Sequence, residues 1–190
     1  AFIDQAHSLW LDEASENHQL YLPAIFGPDP NSTILISVTP SGHAGNGESF
    51  GADVSGDGRY VGFTSKASDL VPGDTNDTED VFVRDLLAGV TTRVSVASDG
   101  SQASFSSMYP SLSADGRYVA FQSAADNLVP GESVYDWDIF VHDRLTGMTE
   151  MVSVSNSGEY GNSDSLFPVM SADGRFVAFE SRATNLDCPN

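Results

Sequence analysis

A nine-residue segment occurs three times in this chain at a constant spacing. The copies read SGDGRYVGF at 55–63, SADGRYVAF at 113–121 and SADGRFVAF at 171–179, so that successive copies are 58 residues apart. A strict period of this length is typical of proteins built from stacked copies of one supersecondary unit. The period constrains the fold more tightly than any other feature of the sequence.

One period contains four predicted strands, at 109–113, 117–123, 138–143 and 149–154. They are rich in Val, Ile, Phe and Tyr, as strands are, and Asp-Gly between the first two is typical of a tight hairpin. The second and third strands are apolar on both faces, which indicates a sheet that is covered on both sides. A four-stranded sheet covered by copies of itself is a β-propeller blade. The chain is therefore predicted to be all-β.

These motifs resemble those of a known family. The pattern S-x-D-G-R-[YF]-[VI]-x-F-x-S, followed by a D-[IV]-[FY]-[VL]-x-D strand, is similar to the TolB-like, WD-type β-propeller repeats of bacteria. The similarity covers about 150 of the 190 residues. The resemblance implies a propeller fold, export from the cell, and a role as a protein-binding scaffold or as a propeller domain attached to other modules.

The repeat divides the chain into blades. A leader at 1–32 is followed by a half blade at 33–39, full blades at 51–96 and 109–154, and a half blade at 167–183, all within a repeat region at 33–190. This gives about three blade equivalents, whereas closed propellers have about four to eight. We therefore expect an open arrangement that is completed by strand exchange between chains. The leader is expected to provide a strand or helix that packs on a partner or on the first blade.

The half blades contain the residues that we expect to mediate assembly. These are Ile34, Ile36 and Val38 in the first half blade and Phe176, Val177 and Phe179 in the last. A strand edge without a neighbour can pair with another chain. Pairing between opposite ends of two copies generates either a closed ring or an open filament.

The leading hypothesis is therefore a non-enzymatic, exported structural protein that binds copies of itself head-to-tail. A filament is the expected product, with a six-bladed ring of two chains as the second form. One alternative is a TolB-like scaffold that binds a protein or a glycan, and another is a fragment of a longer propeller. We expect an extracellular or cell-surface location, with the periplasm as the alternative.

An acidic loop precedes the third strand of the first full blade. The segment DTNDTED places oxygen-bearing side chains at alternate positions, namely Asp74, Asn76, Thr78 and Asp80. This is the spacing by which an oxygen-rich loop wraps a hard cation, so the sequence predicts a structural Ca²⁺ site. The alternative is a solvated acidic turn in which Asp80 bonds backbone amides.

The equivalent loop of the next blade is a weaker metal candidate, because Val134 replaces one of the four ligands. The remaining candidate ligands are Glu132, Asp136 and Asp138. The same loop contains Tyr135 and Trp137, and aromatic side chains on loops often make intermolecular contacts. We therefore name these two residues as loop contact candidates.

Arg59, Arg117 and Arg175 recur at the same position of each repeat. Repetition in every copy indicates a structural role, so we expect each arginine to pair with a carboxylate or to cap backbone carbonyls. Asp85 and Asp143, at the ends of the predicted third strands, are expected to fix the turn that follows.

Charge and motif content argue against several functions. The chain has 8 basic and 27 acidic residues, and a net charge of −19 disfavours nucleic acid. No run approaches the roughly 20 apolar residues that cross a bilayer, so membrane insertion is not expected. The segment GESFG at 47–51 matches a hydrolase nucleophile pattern but lacks the helix that this pattern requires. No catalytic residue is predicted.

Overall fold

A computed structural model of the chain describes residues 19–23, 33–131 and 136–186. Most of the predicted leader, 1–32, lies outside the described residues. The described part contains β-strands and no α-helix. The strands are β1 Tyr21–Pro23, β2 Thr33–Leu35, β3 Ser49–Val54, β4 Tyr60–Ser65, β5 Asp80–Asp85, β6 Val90–Arg93, β7 Ser107–Leu112, β8 Tyr118–Ser123, β9 Asp138–Asp143, β10 Met148–Met151, β11 Ser165–Met170 and β12 Val177–Ser181.

The strands form antiparallel sheets in chain order. Two sheets have four strands, β3-β4-β5-β6 and β7-β8-β9-β10, and two have two strands, β1-β2 and β11-β12. Each four-stranded sheet is a meander, which is the architecture of a propeller blade. The predicted fold class, all-β with open propeller-type blades, is confirmed.

The strands differ from the predicted ones at their ends. The fourth strand of the second blade ends at Met151 rather than at residue 154. It ends there because the Ser153 side chain bonds the neighbouring strand, donating to Asp138 Oδ1 at 2.7 Å and accepting from the Ile139 amide at 3.0 Å. The first strand begins two residues early, at Ser107, and contains an irregularity between Met108 and Ser111.

The N-terminal sheet, β1-β2, corresponds to the third and fourth strands of a blade. In each full blade a serine after the fourth strand bonds both an amide at the start of the third strand and an aspartate side chain, and Ser37 makes the equivalent bonds here with a glutamine in place of the aspartate. Its Oγ accepts from the Leu20 amide at 3.2 Å and donates to Gln19 Oε1 at 2.9 Å. The equivalent bonds are Val81 N to Ser95 Oγ, Ser95 Oγ to Asp80, Ile139 N to Ser153 Oγ, and Ser153 Oγ to Asp138.

The C-terminal sheet, β11-β12, corresponds to the first two strands of a blade. It has the register shift seen in β3-β4 and β7-β8, here between Leu166 and Val169. It also has the serine pair that joins these strands in both full blades, with 2.9 Å between Ser165 Oγ and Ser181 Oγ. The two half blades are thus complementary halves of one blade.

Two apolar cores lie between successive sheets. The first contains Leu20, Ile36, Val61, Phe63, Ala67, Leu70 and Phe82. The second contains Val81, Val83, Val94, Ala103, Leu112, Val119, Phe121, Ala125, Leu128, Phe140 and Met151. Each core takes residues from neighbouring sheets, which explains why the second and third strands are apolar on both faces.

Candidate functional site

The strand β12 has one edge without a neighbouring strand among the described residues, whereas the equivalent edges of β4 and β8 are paired. In the described residues β12 pairs with β11 alone, whereas β4 and β8 each lie between two strands. The missing neighbour leaves Phe179 only half-buried, whereas the equivalent Phe63 and Phe121 are fully buried. Phe176, at the entry to β12, is 65% exposed. Three of the predicted assembly residues, Phe176, Val177 and Phe179, therefore lie together on this half blade.

The predicted assembly residues of the first half blade do not share one environment. Ile34 is exposed, whereas Ile36 and Val38 are buried. Ile36 belongs to the core between β1-β2 and the first full blade. Of these three side chains, Ile34 is the one that is available to a second molecule.

In the second full blade and in the last half blade, the turn between the first two strands packs on an aromatic ring of the preceding blade. Gly116, at φ +65°, lies so close to Tyr60 that an added Cβ would overlap the ring. At Gly174, φ +69°, an added Cβ would lie 2.6 Å from Tyr118 Cδ2. Glycine is required here because the backbone is left-handed and because the ring occupies the space of a side chain. Gly58 has the same conformation, φ +73°, but no atom in the part of the chain that the structure describes lies within 4 Å of its Cβ position.

The repeated arginines form ion pairs in both full blades, as predicted. Arg59 binds Asp85 through Nε at 3.0 Å and Nη2 at 2.7 Å. Arg117 binds Asp143 through the same two nitrogens, at 2.9 and 2.7 Å. Each aspartate also accepts hydrogen bonds from the turn that follows the third strand. These pairs join the first turn of the blade to the last one.

The acidic loop that was predicted to bind calcium faces an arginine. Arg93 Nη1 lies 3.1 Å from Asp74 Oδ1 and 3.4 Å from Asp80 Oδ2. The Asn76 side chain presents its amide to Asp80, with Nδ2 donating to Oδ2 at 3.1 Å. Thr78 Oγ1 is buried without a hydrogen-bond partner in the described residues. A cation bound at this loop would have to displace the Arg93 guanidinium from both carboxylates.

Burial dominates the electrostatics of this loop. It raises the pKa of Asp80 to about 6, although the Ser95 hydroxyl and Arg93 act in the opposite direction. Burial also raises the pKa of Asp74, against the attraction of Arg93. No group of three or more His, Cys, Asp or Glu side chains in the described ranges is arranged to hold a metal ion. The calcium site remains a prediction from the sequence.

The second candidate metal loop lies partly outside the described residues, which exclude Glu132, Val134 and Tyr135. Asp138 is buried and accepts a hydrogen bond from Ser153. Trp137 is half-buried, and its backbone bonds the next blade, with its amide 3.2 Å from Asp164 Oδ1. Its backbone therefore links the second blade to the last half blade.

An aromatic row on the innermost strands was not predicted. Tyr109 and Phe167 both have φ +55°, and they occupy the repeat position that is Gly51 in the first blade. The Tyr109 ring lies 6.1 Å from Phe50 and 5.6 Å from Phe167. Tyr109 is 38% and Phe167 50% exposed. The alignment with Gly51 was the sequence signal for this unusual backbone.

The match to a hydrolase motif does not form a nucleophile site. Ser49 is fully buried in β3, and its Oγ donates to Ser65 Oγ at 2.9 Å. The strand begins at this serine and continues to Val54, without the turn and helix that expose a nucleophilic serine. In the described part of the chain, we also find no helical segment that could span a membrane.

No protein-family model and no curated protein matches this chain. Among solved structures, a putative TolB from Agrobacterium tumefaciens is similar with a TM-score of 0.51 and 18% identity, over 85% of this chain and 49% of that one. The tricorn protease also has a TM-score of 0.51, with 13% identity over 86% of this chain and 13% of its own.

A third similar structure comes from a study of two prolyl endopeptidases. Its TM-score is 0.51 and its identity 19%, over 87% of this chain and 23% of that one. The chain thus spans about half of the TolB structure and less of the two peptidases. At these identities the similarity concerns the fold, which is that of a β-propeller.

Proposed function

We propose that this protein is a non-enzymatic, exported structural scaffold that assembles head-to-tail by completing blades between copies. The observation that carries the proposal is the complementarity of the half blades. One supplies the first two strands of a blade and the other supplies the last two. Joining β12 of one copy to β1 of another would restore a four-stranded sheet.

The expected register follows from the full blades. In these, Ser65 pairs with Asp80 and Ser123 with Asp138 across the second and third strands. In the composite blade Ser181 would therefore face Gln19, whose side chain occupies the position of Asp80 and Asp138 in the full blades. Backbone pairing along an open edge is a general mode of protein association.

The test is the size of the purified protein in solution, measured by mass photometry and negative-stain microscopy, with and without a calcium chelator. Fibres are expected, and a uniform two-chain species would indicate the ring. The variant Phe179→Lys should prevent assembly, because completion of the blade would bury the charge beside apolar residues. Leu87→Lys, at an exposed hairpin tip, is the matched control. A monomeric wild-type protein would overturn the proposal.

A second candidate function is a scaffold that binds a protein or a glycan. The exposed rings of Tyr109 and Phe167 favour it, because exposed aromatic side chains often form binding surfaces. Binding to a glycan array or to cell-surface proteins that is lost in Tyr109→Ala, while assembly is absent, would support this alternative.

A further inference from the structure

We infer that assembly also uses a lateral contact, in which Phe176 of one copy packs into the open turn at Gly58 of a second copy. This inference rests on the proposed head-to-tail assembly. It adds a side-chain contact between blades to the backbone pairing along the strand edges.

The contact has two precedents within the chain. Tyr60 fills the turn at Gly116, and Tyr118 fills the turn at Gly174. In both cases the ring comes from the start of the second strand of one blade and the glycine from the next blade. An arginine lies over each ring, with 4.8 Å from Arg59 to Tyr60 and 4.7 Å from Arg117 to Tyr118.

One ring and one turn of this series have no partner from another blade among the described residues. Phe176 occupies the position of Tyr60 and Tyr118 but is 65% exposed. Gly58 occupies the position of Gly116 and Gly174, but no atom of the described residues lies within 4 Å of its Cβ position. Arg175 lies over the Phe176 ring at 5.4 Å, somewhat farther than the 4.8 and 4.7 Å of the equivalent pairs in the full blades. The ring therefore lies on one lateral face of the blade series and the empty turn on the other.

The surroundings of the two faces also match. A backbone ladder runs between the turns, with Gly56 N donating to Ala114 O at 2.9 Å and Ala114 N to Ala172 O at 2.8 Å. A second copy would continue this ladder, because the Ala172 amide of the first copy could donate to the Gly56 carbonyl oxygen of the second copy. Val54 occupies the position of Leu112, which is buried against Gly62, yet Val54 is 39% exposed.

One hydrogen bond between neighbouring blades could not form at the junction of two copies, and a bond within the second copy takes its place. The Leu112 amide donates to Asp53 of the preceding blade at 2.7 Å. At the junction the residue in the place of Asp53 would be Val169, which cannot accept. The Val54 amide, however, donates to Asp53 of its own chain at 2.9 Å, so it needs no acceptor from the second copy.

The occupant of each face is a second copy, because both members of the complementary pair are present in the same chain. A contact between two different patches of identical molecules is heterologous, and it leaves one free patch at each end of an open assembly. Two variants that each block one patch should therefore complement each other at a single junction.

The experiment compares Gly58→Asn with Phe176→Asp. Asparagine tolerates the left-handed backbone, so Gly58→Asn fills the turn with little strain. Gly100→Asn is the matched control, since Gly100 has φ +86° and, within residues 19–23, 33–131 and 136–186, no atom within 4 Å of its Cβ position. Each blocked variant alone should be monomeric, whereas Gly100→Asn and Phe176→Tyr should assemble like the wild type.

The decisive result is the mixture of the two blocked variants. The Phe176→Asp copy retains its open turn and the Gly58→Asn copy retains its ring, so we expect a 1:1 dimer of twice the 20.2 kDa chain mass in mass photometry. Its formation also shows that both variants are folded. Wild-type-like assembly of either blocked variant would overturn the lateral contact and leave strand completion standing. A monomeric wild-type protein would instead overturn both.

Discussion

Arg117 and Asp143 are joined by two parallel hydrogen bonds that connect the first turn of the second blade to the end of its third strand. Arg59 and Asp85 make the same pair in the first blade. A two-point contact between a guanidinium and a carboxylate fixes geometry as well as charge. In the last half blade Arg175 instead faces the exposed Asp173 at 3.9 Å.

These pairs predict a loss of stability in acid. The bound arginines hold the pKa values of Asp85 and Asp143 well below the usual range. A lowered pKa in the folded state stabilises the fold above the unfolded value, near 3.8, and this contribution disappears as the pH falls further. The free energy of unfolding in urea should therefore decrease steeply below about pH 4. Asp143→Asn should flatten this decrease, and Asp77→Asn, at an exposed turn, should not.

Asp80 should change the pH dependence of the unfolding free energy in the opposite direction to Asp85 and Asp143. Because burial raises its pKa to about 6, the folded protein holds this proton more tightly than the unfolded chain does. Stability from this group is present below about pH 4 and is lost as the pH rises towards 6. The variant Asp80→Asn should thus gain stability over wild type at pH 7, by on the order of 1–3 kcal/mol, while both should be similar at pH 4. An uncharged amide already occupies the equivalent position of the first half blade, where Gln19 accepts a hydrogen bond from Ser37 as Asp80 does from Ser95. Equal pH profiles of unfolding for the two proteins would contradict this prediction.

Calcium binding at the first acidic loop should depend on Arg93. The guanidinium contacts Asp74 and Asp80, so it competes with any cation for the same oxygens. We expect Arg93→Gln to bind calcium at least several-fold more tightly than wild type in calorimetric titrations. Arg84→Gln, which removes a charge elsewhere in the same blade, is the control. The same affinity in both variants would mean that calcium binds at another place.

The turn glycines should differ in their tolerance of a side chain. Gly58, Gly116 and Gly174 share a left-handed backbone, so alanine strains all three by about 1–2 kcal/mol. At Gly116 the methyl group also overlaps Tyr60, and overpacking of this kind costs about 1–3 kcal/mol more. Urea unfolding of the monomeric species should show Gly116→Ala as the less stable variant by that margin. Equal losses at Gly58 and Gly116 would show that backbone strain alone matters.

The blades were predictable from the sequence, and the contacts specific to one blade were not. The period and the apolar second and third strands indicate stacked four-stranded sheets, and repeated residues such as Arg59 indicate structural pairs. Arg93 gave no such signal, because the aligned residues are Leu35 and Met151 and the loop spacing does not reveal what lies opposite it. The openness of the Gly58 turn follows from packing between blades, which a local pattern does not contain.

The backbone at Phe167 leads to the last prediction. Its φ of +55° strains a residue with a side chain, by about 1–2 kcal/mol, and its half-exposed ring recovers little of this by burial. Glycine relieves the strain and alanine does not, so Phe167→Gly should be more stable than Phe167→Ala by about 1 kcal/mol in urea unfolding. Phe121, fully buried with an ordinary backbone, provides the contrast, since its replacement by alanine should cost about 3–5 kcal/mol. If Phe167→Gly proves less stable than Phe167→Ala, the left-handed backbone at this position is wrong. If the expected order holds, the ring is retained at a cost to stability, which favours a role for the aromatic row in binding.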